Sequence, residues 1–165
     1  MDGPAKFKKN CINLTHTFEA IVADCCEKGM SFVDPGMVAF VRGFLSRMDE
    51  VELMETFLER SHGNWTQIAA RDETFFLTNA NTIFGDFSKN NVLCFKQLFE
   101  TPDAITQDDR ELMWDFFDAF ILTCYKTMKE SLNGQKGLDA NLVRNILSKQ
   151  ECINAISIIS SRKKK

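Results

Sequence analysis

The chain has 165 residues, of which 44% are hydrophobic and 26% charged, and this is the composition of an ordinary globular domain rather than a disordered chain. A chain of this length buries roughly 70% of its unfolded surface, so it needs neither disulfides nor a metal to form a core. The net charge of −3 and a pI near 5.4 argue against a dedicated nucleic-acid binder, and 15 Phe against 2 Trp and 1 Tyr favour dry burial.

The cysteines and the apolar segments indicate the cellular compartment in which the protein is expected. Six Cys occur without a Cys-x-x-Cys pair, and with only two His they predict no structural zinc site and no disulfides. The lysines of the first ten residues are followed by no apolar run, and no segment reaches the roughly 18 apolar residues that span a bilayer. We therefore expect an intracellular, cytoplasmic protein without a membrane span.

Apolar residues recur at steps of three and four along almost the whole chain, which predicts amphipathic helices. The first stripe runs from Phe7 to Cys25, and Gly29 ends that helix. Asp34-Pro35 predicts the N-cap and first turn of a second helix. The apolar stripe of this second helix is Met37, Val41, Phe44 and Met48.

Three further helices are predicted before residue 102. The capping-box-like Ser46-x-x-Asp49 indicates a bend and then a third helix, which ends at His62-Gly63. Asn64 is the predicted cap of a fourth helix that continues to Gly85. A short fifth helix opens at Ser88 and stops before Pro102.

Thr106 is the predicted cap of the longest helix, which ends at Asn133-Gly134 and is apolar over so wide an arc that it should be central. Asp139 opens the last helix, and residues 156–159 extend it or form a short strand. The sequence thus predicts an all-α, single-domain helical bundle over residues 1–165, with six or seven helices around a central Phe-rich helix. We expect the short basic termini, 1–9 and 161–165, to be flexible.

The charge is distributed unevenly along the chain. Residues 49–118 contain 15 acidic and 5 basic residues, a balance of −10, whereas residues 131–165 contain 2 acidic and 7 basic residues, a balance of +5. The basic end is interpreted as a solubilising tail, and the alternative is contact with nucleic acid or another anion. The residues of that alternative contact are Arg162, Lys163, Lys164 and Lys165.

No constellation of residues predicts catalysis, so we expect no catalytic residue, no metal and no cofactor. The acidic cluster Asp108, Asp109, Glu111, Asp115 and Asp118 could hold a cation, but a helix N-terminus and a solvated face explain it more simply. Ser61-His62 lacks a Gly-x-Ser-x-Gly elbow, and there is no glycine-rich phosphate loop.

Two aromatic-rich runs stand out, and they are Ser61-His62-x-x-Trp65-x-x-Ile68-x-x-Arg71-Asp72-x-x-Phe75-Phe76 and Trp114-x-Phe116-Phe117. The favoured interpretation is packing, with core anchors Trp65, Phe76, Trp114 and Phe117. The functional interpretation places Arg71 and Asp72, with Arg110, on the exposed side as a partner contact.

The chain resembles small helical proteins of large cytoplasmic DNA viruses in two runs, Ser61-His62-x-x-Trp65 with Arg71-Asp72-x-x-Phe75-Phe76, and Asp109-Arg110-x-x-x-Trp114-x-Phe116-Phe117. The resemblance covers roughly residues 57–129. It implies a virus-encoded protein made in the host cytoplasm, and a virion component.

The leading hypothesis is therefore a non-enzymatic helical interaction or assembly protein, a viral structural or accessory component that binds a protein partner or itself. One alternative is a helix-in-groove binder that regulates host signalling such as apoptosis, because apoptosis regulators with BH motifs are helical bundles of similar size. The other alternative is nucleic-acid association through the basic termini.

Overall fold

The structure, a computed structural model, describes residues 1–30, 34–79, 89–134 and 137–163, and for residues 89–92, 94 and 95 the backbone only. Within these ranges the chain is helical and has no strand, so the all-α prediction is confirmed. A 3-10 turn spans His62–Asn64. The helices are α1 Gly3–Glu27, α2 Pro35–Arg47, α3 Glu50–Ser61, α4 Trp65–Ala69, α5 Glu73–Thr78, α6 Lys89–Glu100, α7 Gln107–Leu132, α8 Ala140–Leu147 and α9 Gln150–Lys163.

The long helix α7 lies at the centre of the bundle, as its wide apolar arc predicts. Its buried residues include Phe117, Ile121 and Cys124 along most of its length. Helix α1 runs antiparallel along it: Phe7 contacts Phe120 at 5.3 Å between ring centroids, and the far end of α1 reaches the loop before α7. Burial of this long apolar surface is the main term that stabilises the fold.

The phenylalanines form a connected set of tilted and edge-to-face rings in the core. Phe76 lies 5.2 Å from Phe117 and 5.5 Å from Trp114, and Phe117 lies 5.5 Å from Phe120, between ring centroids. The four predicted anchors are all buried, with exposed fractions from 0% for Trp65 to 7% for Trp114. These rings hold α5 onto α7, so the first aromatic-rich run packs against the second.

The predicted helix ends are largely confirmed. Asp34 and Asp139 cap α2 and α8 through their carboxylates, and Thr106 with Asp109 forms a complete capping box at α7. Gly29 has a φ of 81° and follows α1, where its amide and that of Met30 close the Schellman hydrogen bonds.

The predicted fourth helix is wrong. The chain breaks between α4 and α5, where Arg71 adopts a φ of 58° and its amide donates to Ile68. This is a Schellman motif in which Arg occupies the position that Gly usually takes. The sequence therefore lacks the glycine that would predict the end of this helix. Asn64 makes no side-chain cap. Residues 80–88, which include the predicted boundaries Gly85 and Ser88, lie outside the described residues.

Other boundaries and faces also differ from prediction. The segment 1–9 is not a flexible end: α1 begins at Gly3, and Phe7 is buried because it packs on α7. The predicted last helix is two helices, because α8 ends at Leu147 and α9 begins at Gln150; residues 156–159 lie within α9 rather than in a strand. On α2 the buried residue is Val38, whereas Phe44 is 46% exposed.

Candidate functional site

A buried carboxylate ties three helices together. Asp118 on α7 is 3% exposed, and its two oxygens accept hydrogen bonds from Arg162 Nη2 at 2.8 and 2.9 Å. Arg71 Nη2 donates to Asp118 at 3.1 Å and to the more exposed Asp115 at 2.6 Å. Arg162 also donates to the carbonyl of Ala69 at 2.9 Å. Residues distant in sequence therefore meet around one carboxylate.

This network corrects the predicted exposure of Arg71, which is half-buried between two carboxylates, whereas Asp72 is exposed as predicted. Burial by itself lowers the pKa of the Arg71 guanidinium, but its hydrogen bonds with Asp115 and Asp118 outweigh burial and raise that pKa. Asp72 caps α5 by accepting from the Phe75 amide at 3.0 Å. Both side chains serve the fold at the α4–α5 break.

Arg110 is likewise engaged inside the molecule. Its guanidinium pairs with Glu73 on α5 and donates to the carbonyl of Phe99 at 2.8 Å. It also lies over the Phe99 ring, 5.4 Å from the centroid. The predicted partner contact at Arg110 is therefore a structural bridge between α5, α6 and α7.

The basic tail divides into a structural part and an exposed part. Arg162 is partly buried and bound to Asp118, so it has a structural role, whereas Lys163 is exposed at the end of α9. Lys164 and Lys165 lie outside the described residues. The position of Arg162 beside α7 could not be inferred from a run of basic residues.

Ser61 and His62 do not form a hydrolytic pair. The Ser61 hydroxyl is buried and accepts from the indole N–H of Trp65 at 2.9 Å. His62 Nδ1 lies 2.8 Å from the carbonyl of Leu58; because a carbonyl only accepts, Nδ1 carries the proton. His62 Nε2 then accepts from Lys149 at 3.0 Å. The Ser61 contact connects the end of α3 to α4, and the Lys149 contact connects it to the start of α9.

Several thiols and carboxylates of the described ranges are engaged in the fold, whereas Cys26 is exposed. Burial raises the pKa of Cys11 to about 12 and that of Cys152 to about 11, so both thiols stay protonated near neutral pH. Within the acidic cluster Asp109 caps α7, and Asp115 and Asp118 bind arginines. Among the described residues, no group of three His, Cys, Asp or Glu is arranged to hold a metal ion.

A cavity of about 10 Å³ lies between Phe76, Phe99, Met113, Trp114 and Phe117. This volume is at the lower limit for a single water molecule and its lining is apolar. It is far smaller than the pockets of several hundred Å³ that hold small ligands. In the described part of the chain, no helix is both long and apolar enough to cross a membrane.

Helix α2 is attached to the bundle along one edge by polar contacts. Arg42 pairs with Glu19 of α1 at 2.5 Å, and its Nε donates to Thr15 at 3.0 Å. Lys8 of α1 donates to the last carbonyls of α2, at 2.9 Å to Ser46 and 2.8 Å to Met48. These contacts fix the orientation of α2, although Val38 is its only fully buried residue.

The opposite side of α2 presents a surface that we call the α2 seam, formed by the exposed Gly36, Phe40 and Arg47 and the half-buried Gly43. The spacing of four, three and four residues places them on one helix face. Phe40 is 67% exposed, and Arg47 is exposed beside Gly43. Burying an exposed Phe side chain is worth roughly 2 kcal/mol, so this position favours a contact.

Sequence reasoning missed the α2 seam because it assigned the apolar face of α2 to Met37, Val41, Phe44 and Met48. The stripe left out Phe40 and Val38, which lie on opposite sides of the helix. The available signal was that α2 is apolar on both sides, a pattern typical of a helix that is covered on both.

Comparison of the chain with protein families, with curated proteins and with solved structures finds no match.

Proposed function

We propose that the chain is a non-enzymatic helical interaction and assembly protein and that the α2 seam is its contact surface. The observation that carries the proposal is Phe40, a large apolar side chain that is 67% exposed on a helix held in place from its other side. A rigidly presented aromatic side chain is the usual anchor of a protein–protein contact, because little conformational freedom is lost on binding.

The polar residues support the same proposal. Arg71, Asp118 and Arg162 hold helices together, Ser61 joins the end of α3 to Trp65 of α4, and His62 joins it to Lys149 before α9. Charged and nucleophilic side chains that sequence motifs single out are thus used by the fold. What remains at the surface of α2 is suited to binding a protein.

The resemblance to small helical proteins of large cytoplasmic DNA viruses leads us to propose a virus-encoded accessory or virion component acting in the host cytoplasm. An assembly protein of this kind needs a stable bundle and a projecting contact, and the Phe core and the α2 seam supply these two features. Its partner is a protein or another copy of the chain.

The test is a pull-down with the full chain as bait, comparing wild type with Phe40→Asp. The matched control is Leu93→Asp, because Leu93 is also exposed, at 54%, but lies on α6. We expect specific binding, whether of a tagged second copy or of another protein, to be lost with Phe40→Asp and kept with Leu93→Asp. Circular dichroism confirms that each variant is folded. Binding that is indifferent to Phe40, or absent altogether, overturns the proposal.

A further inference from the structure

The α2 seam combines a projecting ring with positions that lack a side chain. Phe40 lies between Gly36 and Gly43, and both glycines have ordinary helical φ values. A Cβ at Gly43 would meet only Arg47 Nη2, at 3.5 Å, which is an ordinary contact. The described fold therefore does not need glycine at residue 43, although glycine costs about 1 kcal/mol relative to Ala in a helix. A glycine at residue 43 is useful instead if a side chain of a partner packs against it.

The two ends of α2 carry opposite charges. Asp34 is exposed at the N-terminal end, where it accepts from the Gly36 amide at 2.9 Å, and Arg47 is exposed at the C-terminal end. Two such helices packed antiparallel would bring Arg47 of each copy to Asp34 of the other. The helix dipoles would also oppose each other favourably, whereas parallel packing would place like charges together.

We infer that the partner of the α2 seam is a second copy of this chain, with the two α2 helices packed antiparallel across a two-fold axis. The spacing of the seam is symmetric, so one register sets Phe40 against Gly43 of the other copy and Gly36 against Arg47 of the other copy. Each ring then packs over Gly43 of the other copy, beside the Arg47 guanidinium that lies next to that glycine. This inference rests on the proposed function, because it names the partner of the same surface.

The size of the contact sets its strength. Helix α2 has 13 residues and is about 20 Å long, so the seam buries less than the roughly 800 Å² per partner of a standard interface. The dimer is therefore weak and concentration-dependent, and it assembles from folded monomers. A contact of this kind suits an assembly protein that associates only where its local concentration is high.

The test is sedimentation equilibrium of the purified full chain across a wide concentration range. Gly43→Leu fills the space that receives Phe40, so we expect the dissociation constant to rise at least about tenfold. The same substitution removes a helical glycine, so the thermal stability of the monomer should stay level or increase. This opposite pair of changes separates a blocked interface from a damaged fold.

Charge variants test the antiparallel orientation. Asp34→Asn keeps a good helix cap but removes the charge, and Arg47→Gln removes the opposite charge. We expect each to raise the dissociation constant severalfold, and the double variant to be no weaker than the weaker single variant, since both substitutions remove the same two symmetry-related ion pairs. Independent, additive effects would overturn the antiparallel pairing.

The outcomes distinguish this inference from the proposed function. A chain that stays monomeric at every concentration, or a dimer that Gly43→Leu does not weaken, overturns the second-copy inference. If such a monomer still captures a different protein through Phe40, the proposed function stands and this inference falls. If Phe40 governs no binding at all, both fall.

Discussion

Asp118 shows how one residue can organise several helices. Its carboxylate receives one arginine from the α4–α5 break and another from the last turn of α9. A charge this buried is tolerated only when it is paired and hydrogen-bonded, and three donor contacts satisfy it. The left-handed backbone at Arg71 costs of order 1 kcal/mol or more, and its ion pairs with Asp115 and Asp118 offset that cost.

At this scale we predict that Asp118→Asn lowers the free energy of unfolding by about 3 kcal/mol, because it leaves two partly buried guanidinium groups without their shared partner. Asp115→Asn is the control, since Asp115 is 65% exposed and should contribute less than about 1 kcal/mol. Urea denaturation measures both. Equal effects of the two substitutions would show that Asp118 does not organise the network.

At the scale of helices, the packing of α1 on α7 depends on a close approach between the start of α1 and the last turns of α7. Gly3, in the first turn of α1, lies against Thr127 of α7, and a Cβ at Gly3 would overlap the Thr127 hydroxyl oxygen. The same Cβ would come within 3.0 Å of Thr127 Cβ and 3.1 Å of its Cγ2. Rotation about χ1 does not move Thr127 Cβ, so the crowding against that atom remains.

We predict that Gly3→Ala lowers the free energy of unfolding by about 1–3 kcal/mol through this overpacking. The control is Gly63→Ala, because an added Cβ at Gly63 would meet nothing within 4 Å. That variant should be neutral or slightly stabilising. Thermal unfolding followed by circular dichroism compares the two. A neutral Gly3→Ala would mean that α1 docks more loosely on α7 than the contacts indicate.

At the scale of the whole molecule, the last helix joins the C-terminal part of the chain to α4 and α7. Helix α9 packs on α4, and Arg162 near its end donates to Ala69 and Asp118. The C-terminal basic residues therefore have two different roles. Arg162 is a structural residue, and the following lysines are the ones that could carry a solubilising charge.

We predict that deleting residues 162–165 lowers the free energy of unfolding by about 2–3 kcal/mol, since it removes a charged hydrogen-bonding partner of a buried carboxylate. Deleting 163–165 should cost less than about 0.5 kcal/mol. Urea denaturation measures stability, and fluorescence polarisation with single-stranded DNA measures the alternative role. Salt-sensitive DNA binding that only the longer deletion abolishes, without any loss of stability, would contradict the structural role of Arg162.

Sequence determined the local features of this protein. Helical periodicity, the caps at Asp34, Thr106 and Asp139 and the wide apolar arc of α7 follow from interactions within a few residues, so the sequence alone predicts them. The resemblance to viral helical proteins and the assembly role stay predictions.

Tertiary structure decided the rest, because it depends on which distant residues meet. The break at Arg71 lacks the glycine that usually marks a helix end, and carboxylates on α7 stabilise it. The role of Arg162 depends on Asp118 in the same way. The exposure of Phe40 depends on packing as well, because α1 covers the other side of α2. Periodicity marks an apolar face, but only packing determines whether that face is covered by the chain itself or left at the surface.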